Sequence, residues 1–220
     1  MAQQPDFTSE PHLGQPVFMA GQPLDRAGAA MVLLHGRGGT GQGMLSLADE
    51  LTHPSFAYLA PQATGNSWYP LSFLAPVERN EPNLSSALAF VSSVLERLAE
   101  ASIPLRRTIL LGFSQGACLA LEYAARYPHR YGGIIGLSGG LIGPNGTARS
   151  YPGSLAGTPV FLGCDDTDPH IPKERVIESE GVFRLLEADV TARLYPNMGH
   201  RINQDELNIA RTMMEKTAVE

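Results

Sequence analysis

Short apolar runs separated by helix-length segments constrain this chain more than any other feature of it. Met31–Leu34 is continuously apolar, and Phe56–Ala60 and Thr108–Leu111 follow the same pattern. Each reads as a strand buried on both faces. Tyr131–Leu137, Pro159–Leu162 and Val190–Tyr195 extend the series, and Val17–Ala20 is a short candidate at its start. Between them lie helical segments: Met44–Leu51, Gln115–Tyr127, Pro172–Leu186 and Gln204–Thr217. A further helix opens at Asn83, with Leu84, Leu88, Val91, Leu95 and Leu98 at helical spacing. Strands alternating with helices over this length predict an α/β fold, a mostly parallel central sheet with helices on both faces. At 220 residues the chain suits one domain, 1–220, with the polar, Pro-containing residues 1–15 as a surface arm.

Composition excludes several function classes. Hydrophobic residues at 43% and charged residues at 17% supply a core and too little charge for a disordered chain. The formal charge of −6 and the lack of any Lys/Arg cluster argue against a nucleic-acid partner. No run approaches the roughly 20 apolar residues of a membrane helix, so no stable membrane insertion is expected. No signal-peptide pattern opens the chain. Cys118 and Cys164 both sit in apolar runs, cannot form a disulfide framework, and fit a reducing compartment. These observations lead to the expectation of a soluble, cytoplasmic protein, monomer or homodimer.

In a parallel sheet the chemistry sits in loops at the carboxyl ends of strands. Gly112-Phe113-Ser114-Gln115-Gly116 occupies such a place, after an apolar strand and before a helix. It matches G-x-S-x-G, in which a nucleophilic serine stands on a tight, strained turn. The glycines remove Cβ atoms that would clash there. Gly136-Leu137-Ser138-Gly139-Gly140 also matches, but the Gly- and Pro-containing residues after it cannot open a helix. Ser114 is therefore the nucleophile and Ser138 a decoy.

A serine of this kind needs a histidine base and a carboxylate to orient it, in the chain order Ser, Asp or Glu, His. His200 follows a strand and precedes the last helix, at the correct edge, whereas His129 follows a helix at the opposite edge. After the fifth buried run, Asp165, Asp166 and Asp168 compete. Asp168, followed by Pro169, is favoured. Asp165, closest to the strand end, is the alternative, with turn stabilisation as its other use. A metal at Asp165, Asp166, Asp168 and His170 lacks a paired ligand group, so none is expected.

Gly36-Arg37-Gly38-Gly39-Thr40-Gly41 matches G-x-G-x-x-G after a strand, the mark of a dinucleotide-binding oxidoreductase. The acid that should end the next strand is missing, because that strand ends in Ala60-Pro61-Gln62. The competing use is an oxyanion hole, with N–H groups from Arg37 and Gln115. The Arg37 side chain is then incidental and meets solvent.

Together these residues resemble the α/β-hydrolase fold, and within it the phospholipase/carboxylesterase family that includes acyl-protein thioesterases. The resemblance runs from Val32 to the end. It rests on Leu34-His35-Gly36-Arg37-Gly38, Gly112 to Ala117, Leu137-Ser138-Gly139, Asp168-Pro169-His170-Ile171-Pro172 and Gly199-His200. It implies a fold without a large cap domain. It also implies a catalytic triad of Ser114, Asp168 and His200, oxyanion donors Arg37 and Gln115, and no cofactor. The expected function is a serine hydrolase of small carboxylic esters, acting through an acyl-enzyme. A thioesterase or lysophospholipase with the same triad is the alternative, and a non-catalytic ligand-binding protein is a further class. The long segment 62–83 carries Trp68, Tyr69, Leu71, Phe73 and Leu74. Loops this long are usually functional. Trp68 and Phe73, with His170, are the expected substrate-binding residues.

Overall fold

The computed structural model describes residues 10–219. Seven strands form one sheet: β1 (Val17–Gly21), β2 (Ala29–Leu34), β3 (Phe56–Pro61), β4 (Thr108–Phe113), β5 (Gly133–Leu137), β6 (Pro159–Asp165) and β7 (Asp189–Tyr195). Their spatial order is β1-β3-β2-β4-β5-β6-β7. β1 runs antiparallel to β3 and every other pairing is parallel. The helices are α1 (Gly41–Glu50), α2 (Asn83–Glu100), α3 (Gln115–Arg126), α4 (Lys173–Leu185) and α5 (Gln204–Val219).

The apolar strand runs are explained by two cores. Ala30, Val32 and Leu34 point into one, which α2, α3 and α4 cover. Ala29, Met31 and Leu33 point into the other, which α1 and α5 cover. Successive side chains in a strand face opposite ways, so a sheet covered on both faces needs apolar residues at every position.

The chain reverses its direction of travel across the sheet at β2. From β2 it goes outward to β3, then returns to β4 on the other side. This is the crevice where ligands bind in open α/β sheets. It sets the loop after β2 beside the turn after β4.

Three expectations need correction. β3 runs one residue past the expected Phe56–Ala60, to Pro61, which is paired with Val17. A proline fits at a strand end, where its missing N–H costs no ladder bond. β6 runs to Asp165, three residues past Leu162, because it pairs with β7 as far as Tyr195. Of the expected arm, residues 1–9 lie outside the described residues, and the remainder is not merely superficial. His12 is fully buried there. Thr64 N donates to its Nδ1, leaving Nε2–H to donate to Trp68 O.

α5 opens with a capping box. Asn203 Oδ1 accepts from Glu206 N, and Glu206 Oε2 accepts from Asn203 N. Glu206 is fully buried and its Oε1 has no hydrogen-bond partner among the described residues. A Cβ on Gly163 of β6 would collide with this carboxyl. Burial pushes its pKa up from 4.5 to about 7. Between those values the folded chain holds a proton that the unfolded chain has released. Stability contributed by the neutral acid is thus present below pH 4.5 and is lost as pH rises through about 7. A shift of that size corresponds to roughly 3 kcal/mol. Glu206→Gln keeps the capping oxygen without the charge. Denaturant midpoints are expected to rise at pH 8 and change little at pH 4.5, and equal midpoint changes at the two values would show that ionisation is not the cause.

Candidate active site

Ser114 forms the turn between β4 and α3, at φ 55° and ψ −119°. This is a sparsely populated conformation for a residue with a side chain, costing about 1–3 kcal/mol. The motif glycines allow it. A Cβ on Gly112 would strike the Gly116 carbonyl, and one on Gly116 would strike the Leu34 carbonyl of β2. The turn is tied down by Ser114 N donating to Leu137 O at 2.9 Å and by Cys118 N donating to Ser114 O at 3.0 Å.

His200 Nε2 lies 2.8 Å from Ser114 Oγ, and His200 Nδ1 lies 2.7 Å from Asp168 Oδ2. The Asp168 carboxylate can only accept, so Nδ1 carries the proton and Nε2 is left to receive one from the serine. Asp168 Oδ1 also accepts from His170 N at 2.8 Å and Ile171 N at 3.0 Å. Burial pushes the Asp168 carboxyl up, but the bonds from His200 and these two N–H groups outweigh it and hold it below its ordinary value.

Asp165 has a different job. Its Oδ1 accepts from Thr167 N and Thr167 Oγ1, and its Oδ2 accepts from Gly199 N at 2.5 Å. It joins the loop carrying Asp168 to the loop carrying His200. The Thr167 and Gly199 bonds hold its carboxyl below the usual range. Ser138 has φ 51° but is fully buried, beside Cys164 and without an imidazole partner among the described residues, and no helix follows it. His129 packs near Tyr131 and does not line the cleft. Among the described residues no group of three or more His, Cys, Asp or Glu is set to hold a metal ion.

The loop after β2 lies against the serine. A Cβ on Gly36 would come within 3.2 Å of Ser114 Cβ. Among the described residues, the N–H groups of Arg37 and Gln115 donate to no protein acceptor. Two such N–H groups beside a serine can accept the negative charge of a tetrahedral intermediate. The dinucleotide reading fails on the same loop. Gln62 stands at the end of β3, and its Oε1 accepts from Gly41 N at the start of α1. The position of a ribose-binding acid is thus spent on capping a helix.

These groups open into a cleft of about 620 Å³ lined by Arg37, Tyr69, Leu71, Phe73, Ile171 and His170 among others. That is within the range of small-molecule sites. Phe73 and His170 stand where the sequence reading puts them, at the cleft. The His170 ring meets the His200 ring edge-on, with centroids 4.8 Å apart. Trp68 does not line the cleft, which corrects the expectation for it. It is fully buried, between the rings of His12 and His35 at centroid distances of 5.6 and 4.9 Å. Its Nε1 donates to His35 O at 2.8 Å. It is an anchor, because a buried indole that finds a partner for its N–H holds a loop from within.

The side chain of Arg37 also corrects expectation. It is exposed but not idle, donating to Ser67 Oγ at 3.0 Å, Pro70 O at 2.9 Å and Leu71 O at 2.6 Å. Gln115 clips the same segment from the other side. Its Oε1 accepts from Trp68 N and its Nε2 donates to Tyr69 O. Buried Asn80 bonds Leu71 N and Ser72 O. The clipping roles of Gln115 and Asn80 have no sequence signature, because their partners are backbone groups up to 47 positions away.

The phospholipase/carboxylesterase family model matches residues 18–218. The chain belongs to that family. It is accordingly a serine hydrolase of the esterase and thioesterase class. A crystal structure of a family member from Dyadobacter fermentans is 43% identical, with a TM-score of 0.88, over 92% of this chain and 97% of that one. Esterase PE8 is 26% identical with a TM-score of 0.75, over 92% and 98% of the two chains. Acyl-protein thioesterase 1 of Saccharomyces cerevisiae is 27% identical over 88% of this chain and 95% of its own length. The family's fold is the one described above. Among the described residues no helix is long and apolar enough to cross a membrane.

Proposed function

We propose that the chain hydrolyses small carboxylic esters through an acyl-enzyme on Ser114, with His200 as base and Asp168 as its orienting acid. The observation that carries this reading is the relay Ser114 Oγ–His200 Nε2–His200 Nδ1–Asp168 at 2.8 and 2.7 Å, on a serine held at positive φ. Ser114 Oγ attacks the ester carbonyl carbon while His200 Nε2 takes its proton. The carbonyl π electrons move to oxygen, and the N–H groups of Arg37 and Gln115 receive that charge. Collapse breaks the bond to the alcohol oxygen, which leaves with the proton from His200. A water then attacks the acyl carbonyl, gives its proton to His200, and the acid departs as Ser114 recovers its proton.

Neither cysteine competes as nucleophile. Burial pushes the Cys118 thiol up to about 11 and the Cys164 thiol up to about 12, so neither is a thiolate near neutral pH. Two buried free thiols also favour a reducing, cytoplasmic setting.

The cleft walls favour short acyl or alcohol groups. They are built from the 69–73 segment and from His170 and Ile171, without a cap domain above them. The likeness to acyl-protein thioesterase 1 supports a second reading, thioester cleavage with the same residues. The two are separated by kcat/KM over matched oxygen and thiol esters of two to sixteen carbons. The expected profile peaks at short oxygen esters. A peak at long-chain thioesters would replace this reading with the second.

A further inference from the structure

We propose that the cleft selects esters bearing a second, anionic group, a carboxylate near the scissile carbonyl, and that the Arg37 guanidinium recognises it. The inference rests on the esterase function proposed above and names its substrate class.

Among the described residues, Arg37 is the only one lining the cleft that carries a fixed charge, and no Asp or Glu lines it. The guanidinium is positioned rather than free, since three of its N–H groups bond Ser67 Oγ, Pro70 O and Leu71 O. Those acceptors are all neutral, and no carboxylate of the described residues pairs with it, so its charge is uncompensated. A guanidinium has five N–H donors, which leaves two, one on Nε and one on Nη2. They sit on nitrogens sharing one carbon, the spacing that suits the two oxygens of a carboxylate. The location is right, because Gly36 abuts Ser114 and Arg37 follows it. The N-terminus of α3 at Ser114 adds positive potential on the same side. The protein as a whole carries a formal charge of −6, so attraction of an anion here is a local property of the cleft and not a consequence of net charge.

If Arg37 served only to clip the 67–71 segment, its loss would slow charged and neutral esters alike. The test is therefore a ratio. Values of kcat/KM are measured for the 4-nitrophenyl monoester of glutaric acid against 4-nitrophenyl pentanoate, which compares the acyl side. The butyrate esters of 4-hydroxybenzoate and 4-hydroxybenzamide compare the alcohol side. Each rate is divided by that ester's hydroxide-catalysed rate. The expected result is a preference of about five- to tenfold for the charged ester in one pair at low salt, shrinking as ionic strength rises. Arg37→Gln should abolish that preference, Arg37→Lys should keep part of it, and Ser67→Ala, which loosens the segment without altering charge, should leave the ratio as it was. A salt-insensitive ratio near one in both pairs, or a preference that survives in Arg37→Gln, overturns the inference alone. A wild-type protein that cleaves none of the four esters and takes no label from a fluorophosphonate overturns the esterase reading and this inference with it.

Discussion

Ser114→Ala is expected to lower kcat for a short ester by on the order of 10⁶-fold, because nucleophile and base act as a unit. The residual rate would come from binding and from the two N–H groups of Arg37 and Gln115, neither of which needs the hydroxyl. A fluorophosphonate should label the wild type at Ser114 and leave the variant unlabelled, as read by peptide mass spectrometry. Ser138→Ala is the control. Both serines lie in G-x-S-x-G sequences and both have positive φ, at 55° and 51°. Ser114 has an imidazole 2.8 Å from its Oγ, whereas Ser138 is buried beside Cys164 with no imidazole bonded to it among the described residues. Ser138→Ala should therefore retain most activity. Label at Ser138, or a comparable loss in a folded Ser138→Ala protein, would reverse the assignment.

The second large effect is expected at Asp168. Asp168→Asn should cost about 10⁴-fold in kcat, since an amide nitrogen facing His200 Nδ1 favours the wrong tautomer. The side chain of Asp168 is fully screened from solvent, so no water can take over its role. Asp165→Asn tests the rival acid. Asp165 holds Gly199 N, one residue from His200, and it holds Thr167, one residue from Asp168. Its loss should displace both loops and reduce kcat by about 10- to 100-fold, as misplaced catalytic groups do. The effect of Asp165→Asn should be largely on positioning, so a pH–rate profile should keep its shape. A loss at Asp165 that exceeds the loss at Asp168, in proteins with equal thermal midpoints, would exchange the two roles.

Asp168 was the favoured acid because Pro169 follows it and the loop then runs on through Ile171 and Pro172 into a helix. What the run Pro159–Leu162 did not disclose is that β6 continues through Gly163 and Cys164 to Asp165. Those three residues are paired with Arg193, Leu194 and Tyr195 of β7. This pairing with the edge strand β7 depends on a partner some 30 residues away, and no local property of Gly163-Cys164-Asp165 announces it. The extension has a chemical consequence. It fixes Asp165 at the strand end, facing Gly199, and leaves Asp168 free to reach His200.

The glycine-rich loop carries a similar lesson. Gly36 to Gly41 fits two functions by sequence, and the missing acid after β3 weighed against one of them. The strand order decided it, since β2 lies between β3 and β4 and thereby sets Gly36 against Ser114.

The sequence by itself determined the sheet, the two-faced core and the choice of candidate reacting groups. Each depends on short-range information: apolar runs, helical periodicity, and glycines flanking a serine at a strand-to-helix turn. The tertiary structure alone decided how the 62–83 segment is used. Five large apolar residues in that segment announced burial but not its direction. Trp68 turns inward between His12 and His35, because its indole N–H finds the His35 carbonyl and its ring fills the space between two histidine rings. Phe73 stays at the cleft, its carbonyl accepting from Gly143 N. Arg37, Gln115 and Asn80 hold the backbone between them through hydrogen bonds that bridge up to 47 positions of sequence. Backbone carbonyls and N–H groups exist at nearly every residue, so nothing in a sequence marks which of them a distant side chain will meet. Only the folded arrangement assigns those partners, and with them the shape and charge of the cleft.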